Sequence, residues 1–153
     1  MHAAQDEVPV EDELTQFGGI LTFPRAKQHY YTGTVYSLLG DHQRAEYHAT
    51  AALRQYSAGP DEERSYGDEA LARTDLITAR LTQGDFEAAG RHLPQIIGLP
   101  PALQIRQLST GIHRVQSLLR EPALRSVPAA RHLAELTRGY HVIQGASAVP
   151  SVR

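Results

Sequence analysis

The chain has no cysteine and no tryptophan, a single methionine, and Lys27 as its only lysine. Without thiols it can form no disulfide, no thiolate metal site and no cysteine nucleophile, a usage that agrees with a cytoplasmic location. Long apolar runs are missing as well. None approaches the roughly 20 residues of a membrane span, and Met1 to Glu13 is acidic and lacks the apolar centre of a signal peptide. No period-two alternation is strong enough for a strand. Phosphate-cradling glycine loops and GxSxG elbows are absent, and no two histidines stand at the i, i+4 spacing of a helical metal site. His29, His42, His48, His92, His113, His132 and His141 are scattered and read as surface or packing residues. Asp68 and Glu69 are adjacent, so on a helix they point about 100° apart and cannot work as a pair. These absences imply no catalytic residue, no metal site, no cofactor and no enzyme.

What is present is helical. The 153 residues suit one domain with a real core. Residues 1–17 read as an acidic, flexible lead-in, 18–143 as the folded domain, and 144–153 as a disordered tail. Phe23-Pro24 is a good helix entry. From there Ala26, Tyr30, Tyr31, Thr34, Val35 and Leu38 recur at helical spacing. Gly40 stops this helix and Asp41 caps the next, whose stripe is Ala45, Ala49, Ala52, Leu53 and Tyr56. Ser57-Ala58-Gly59-Pro60 is a break. A third helix is expected to open at Pro60-Asp61-Glu62-Glu63, with its acids at the positive end of the dipole, and to run to about Gln83. Gly84-Asp85 repeats the stop and cap. A fourth helix carries Phe86, Ala89, Leu93, Ile96 and Ile97, with Pro94 expected to kink or shorten it. Ile105, Leu108, Ile112, Val115 and Leu119 mark a fifth, and Ala130, Leu133, Leu136, Tyr140 and Ile143 a sixth that starts near Val127-Pro128.

Small residues at Gly33, Ala45, Ala49 and Ala52 fall where paired helices would cross closely. Two Gly-Asp turns joining amphipathic helices follow the local logic of tetratricopeptide (TPR) pairs. The expected fold is all-α, a TPR-like α-solenoid of about three helical hairpins, the third divergent because it lacks the Gly-Asp turn.

Three stretches resemble a known family. Leu21-Thr22-Phe23-Pro24-Arg25-Ala26-Lys27-Gln28-His29-Tyr30-Tyr31, then Glu63-Arg64-Ser65-Tyr66-Gly67-Asp68-Glu69-Ala70-Leu71-Ala72-Arg73, and Leu99-Pro100-Pro101 are similar to the C-terminal TPR-like region of actinobacterial XRE-type transcriptional regulators. The resemblance covers roughly residues 18–143. It implies a regulatory module that senses a peptide or dimerises, and that meets DNA only indirectly, through a separate helix-turn-helix domain. No such domain fits before residue 18. The expectation is a C-terminal fragment or a standalone relative, with a protein or peptide ligand, a homodimer as a further option, and no membrane partner.

In TPR arrays the first helix of each pair lines the concave surface. The candidate groove residues are therefore Arg25, Lys27, His29, Tyr30, Tyr31, Tyr36, Arg64, Tyr66, Asp68, Arg73 and Asp75. Tyrosine offers amphipathic contact area, and arginine pairs carboxylates in a fork. Against this, Tyr30, Tyr36 and Tyr66 also suit a core, and Arg64–Asp68 and Glu69–Arg73 suit i, i+4 pairs. Charge is uneven: residues 1–87 hold fifteen acids against seven bases, and residues 88–153 two acids against eight arginines. A basic C-terminal half suits solvated helix faces, self-association or nucleic acid. A scaffold outside transcription and a small-molecule-binding or enzymatic cleft are the other open readings.

Overall fold

A computed structural model describes residues 24–104 and 106–146. Calls on residues 1–23, on Ile105 and on 147–153 lie outside the described residues, as does the side chain of Ile143. Among the described residues the chain is all-α. Its helices are α1 (Arg25–Leu38), α2 (His42–Ala58), α3 (Tyr66–Thr82), α4 (Phe86–Ile97), α5 (Arg106–Leu119), the short α6 (Pro122–Arg125) and α7 (Pro128–Ala146). Single 3₁₀ turns at Asp61–Glu63 and Pro101–Leu103 complete the set.

The two Gly-Asp turns are built alike. Gly40 and Gly84 both stand at φ 78°, a conformation that costs a side-chain-bearing residue about 1–2 kcal/mol. Gly40 N donates to Ser37 O and Asp41 N to Tyr36 O; Gly84 N donates to Leu81 O and Asp85 N to Arg80 O. These are Schellman closures, which satisfy the orphan carbonyls of α1 and α3. The aspartates then turn to the next helix. Asp41 Oδ1 accepts from Arg44 N at 3.1 Å, and Asp85 Oδ1 from Ala88 N at 3.0 Å. One dipeptide thus ends one helix and caps another, so α1 packs on α2 and α3 on α4.

Close crossing follows from small residues. A Cβ on Gly33 would sit 3.2 Å from Ala49 N, so α1 lies almost against the α2 backbone. A Cβ on Gly111 would sit 2.8 Å from Thr74 Oγ1, which brings α5 equally near α3. The central helix is α3: it touches α1, α2, α4 and α5, while α7 closes over α4, α5 and α6. Two apolar clusters result. The larger joins α3, α4, α5 and α7 through residues such as Ile77, Leu93, Ile112 and Tyr140. The smaller joins α1, α2 and α3 and rests on Tyr30, Leu53, Tyr56, Leu76 and four alanines.

Two local expectations change, and the burial of α1 adds a third point. Helix α3 opens at Tyr66 and not at Pro60, because the Ser65 hydroxyl caps Asp68 N and Arg64 is extended; Asp61–Glu63 form a separate 3₁₀ turn. Pro94 does not end α4, which runs on to Ile97; a proline in the last turn removes one hydrogen bond without blocking a long run. On α1 the buried line is Ala26, Tyr30, Gly33 and Ser37, whereas Val35 and Leu38 are 54% and 68% exposed. The crossing at Gly33 rotates the helix, so its most apolar stripe faces away from α2.

Candidate functional site

The expected groove residues do not form one groove; they fall into four places. Arg25 is exposed at the start of α1. Tyr36 and His29 lie on the α1–α2 face around His48: the His29 and His48 Nδ1 atoms are 3.0 Å apart, and Tyr36 stacks on His48 with Arg44 over its outer face. Arg64, Tyr66 and Arg73 line a pocket between the start of α3 and the end of α4. There Arg64 forks onto Glu69 at 2.9 and 3.1 Å and not onto Asp68, because Arg64 precedes the helix and reaches back over its first turn. Arg73 bonds His92 in place of Glu69.

Of the remaining five, Tyr30 and Asp75 line the valley between α1, α3 and α5, and Lys27, Tyr31 and Asp68 lie beside it. Tyr30, Leu38 and Leu71 supply apolar walls, and Thr34, Asp75, Gln107, Thr110 and Arg114 supply polar groups, around a cavity of about 280 Å³. Asp75 is the centre of the polar set. Its carboxylate is only 4% exposed. Thr34 Oγ1 donates to Asp75 Oδ2 at 2.7 Å, and Arg114 Nη1 stands 3.8 Å from Asp75 Oδ1. Arg114 also donates to Ser37 Oγ at 3.3 Å. Burial raises the Asp75 carboxyl above its ordinary range and outweighs the opposing help from Thr34, Arg114 and Ser37.

Beside the valley, Tyr56 donates to Asp68 Oδ2 at 3.1 Å and Lys27 Nζ lies 3.9 Å from the same oxygen, with Lys27 over the Tyr31 ring. Burial, then Asp68, then Asp75 push the Tyr30 phenol up to about 12, so it stays a neutral donor. Leu71, Gln107, Thr110 and Arg114 were missing from the expected set. The rule that first helices line the groove names α5 as well, so Arg114 could have been found by applying it to the fifth helix.

Chemically, the valley can hold an apolar group against Leu38 and Leu71 while its polar end meets Asp75 and Arg114. Among the described residues no group of three or more His, Asp or Glu side chains could hold a metal ion, and no helix is long and apolar enough to cross a membrane. No protein-family model, no curated protein and no solved structure matches this chain.

Proposed function

We propose that this chain is a non-catalytic interaction module with TPR-like stacked hairpins, the ligand-sensing or dimerisation part of a bacterial, cytoplasmic transcriptional regulator of the XRE type. The single observation that carries the reading is the α1–α3–α5 valley. First helices of three successive hairpins meet there and bring exposed Leu38 beside a buried, under-compensated Asp75. Its volume lies just below the range of whole small-molecule sites, roughly 300–1,000 Å³, and suits one anchoring side chain of a protein or peptide segment. Exposed Val35, Leu38 and Leu39 extend the apolar surface along α1 beyond the cavity. Meeting DNA would fall to a separate helix-turn-helix domain.

A second reading, binding of a small molecule, is favoured by Asp75, since perturbed buried carboxyls mark ligand sites as well as interfaces. One experiment separates these. A photoreactive amino acid replaces exposed Thr110, and the protein is irradiated alone and in extract of its host, with light scattering for mass. Crosslinks to a second copy or to one partner protein, lost on Leu38→Glu, support an interaction module. A monomer that gives no protein crosslink in either setting overturns it in favour of a small ligand.

A further inference from the structure

On the other side of α3 lies a pocket of opposite character. Arg73 and Asp75 are two residues apart, hence about 200° apart around the helix. Where Asp75 faces α1 and α5, Arg73 faces α4. Arg73, Arg80, Arg91 and His92, together with the carboxylate of Asp85, surround a cavity of about 310 Å³ there.

The charges in this pocket are unequally balanced. Arg80 is held by Glu46 at 2.6 Å and by Asp85 at 3.6 Å. Exposed Arg91 pairs, among the described residues, with the solvated Glu87 at 3.9 Å. Half-buried Arg73 makes no ion pair among the described residues. Its side-chain hydrogen bond among the described residues runs from Nη1 to His92 Nδ1, 3.1 Å away. Glu69 attracts it from beyond ion-pair reach but is itself occupied by the Arg64 fork. A guanidinium carries five donors, and burying one without an anion is costly. The Nε–H of Arg80 is also buried without an acceptor among the described residues. If His92 Nδ1 accepts from Arg73, the imidazole is neutral and its Nε2 carries a proton. Burial and the three nearby arginines favour that neutral form.

The first hairpin provides a comparison. His29 and His48 are 19 positions apart, as are Arg73 and His92, and both pairs stand at the same offsets from the turn glycines Gly40 and Gly84. The same register position therefore holds an imidazole in one hairpin and an unbalanced guanidinium in the other. The scaffold does not require an arginine at that position.

We propose that the α3–α4 pocket binds a phosphate-type oxyanion, with the Arg73 fork as its main ligand, Arg91 as a second cation and His92 as the group that orients Arg73. Paired guanidinium donors match the oxygens of such an anion, and charge-assisted contacts of this kind are the strong ones. The oxyanion could come from a free phosphate or from a phosphorylated side chain of a partner.

The test uses the full chain and follows amide and guanidinium NMR shifts at constant ionic strength. The probes are inorganic phosphate, the peptide Ala-Ala-phosphoserine-Ala-Ala and its unphosphorylated twin. Saturable binding of phosphate or phosphopeptide, weakened about tenfold or more by Arg73→Gln and unchanged by Arg138→Gln at an exposed position of α7, is expected. Arg73→Lys keeps the charge but not the fork, and falls between. Equal affinity for both phosphorylated probes assigns a free oxyanion; tighter binding of the phosphopeptide assigns a modified partner. Unfolding of each variant is measured in parallel, and Arg73→Gln is expected to be at least as stable as the wild type. Absence of saturable binding by either phosphorylated probe overturns the proposal, as does equal loss in the Arg73 and Arg138 variants. Neither result bears on Asp75 and its valley.

Discussion

Thr34 and Asp75, separated by 41 positions in the chain, are joined by a 2.7 Å hydrogen bond that ties α1 to α3. Arg114 adds α5 from the other side. Three helices thus converge on one carboxylate whose ionised form is disfavoured by burial.

Asp75→Asn follows from that. A carboxyl raised in the folded state contributes stability that is full below its ordinary pKa and is lost as pH rises through its folded value. Once ionised, the group is therefore a liability. The variant is expected to melt no lower than the wild type at pH 7, and to lose ground relative to it near pH 3. Urea melts at both values check the sign. Partner crosslinking at Thr110 should fall in the same variant, the usual opposition of stability and function at a site.

The turn glycines make a second case. No atom would obstruct a Cβ on Gly40 or Gly84, so conformation alone resists substitution. Gly40→Ala and Gly84→Ala should each cost about 1–2 kcal/mol, and the asparagine variants less, since Asn tolerates this region. Urea denaturation of the four variants measures the ordering.

At Gly33 the obstruction is steric. Alanine would gain about 1 kcal/mol of helix propensity, but its Cβ meets the Ala49 backbone, which cannot move without α2. Gly33→Ala is expected to show little or no net gain, and Gly33→Val a loss of about 1–3 kcal/mol. Thermal melts of both distinguish this from a purely conformational glycine, for which alanine would stabilise.

Acid should weaken the fold through two histidines. His48 is held below its ordinary value by burial and then by His29, and His92 by burial and then by Arg73, Arg80 and Arg91. A depressed group contributes stability that is complete above its unfolded pKa and is lost as pH falls through the folded one. Stability should therefore decline as pH drops below about 6.5. The His48→Gln, His92→Gln double variant should flatten that decline in denaturant melts taken between pH 7.5 and 5.

Six of the seven helices, both Gly-Asp turns and the close crossing at Gly33 were legible in the sequence, because each rests on local spacing or on one backbone requirement. The entry to α3 was not. Pro60 and Ser65 are both plausible starts, and the hydroxyl of Ser65 decided between them. The apolar period of α1 was legible as a helical stripe, but spacing does not reveal what covers it. His29–His48 and Arg73–His92 escaped notice because such pairs are set by where two helices cross, not by spacing within one. Arg114 joins Asp75 from a third helix, a convergence no single stripe announces.

The two apolar clusters differ in kind, and Leu71 rests against both. The smaller is built largely from alanine and tyrosine, which bury little aliphatic surface, and it secures the helix that forms one wall of the valley. Such a unit opens below the free energy of global unfolding. Hydrogen exchange would then find α1 and α2 releasing their protons ahead of α3 to α7. A partner gripping Leu38 and Asp75 would do more than occupy a surface: it would anneal a loosely held foldon onto a firm one, so that occupancy is written into the exchange protection of the first hairpin.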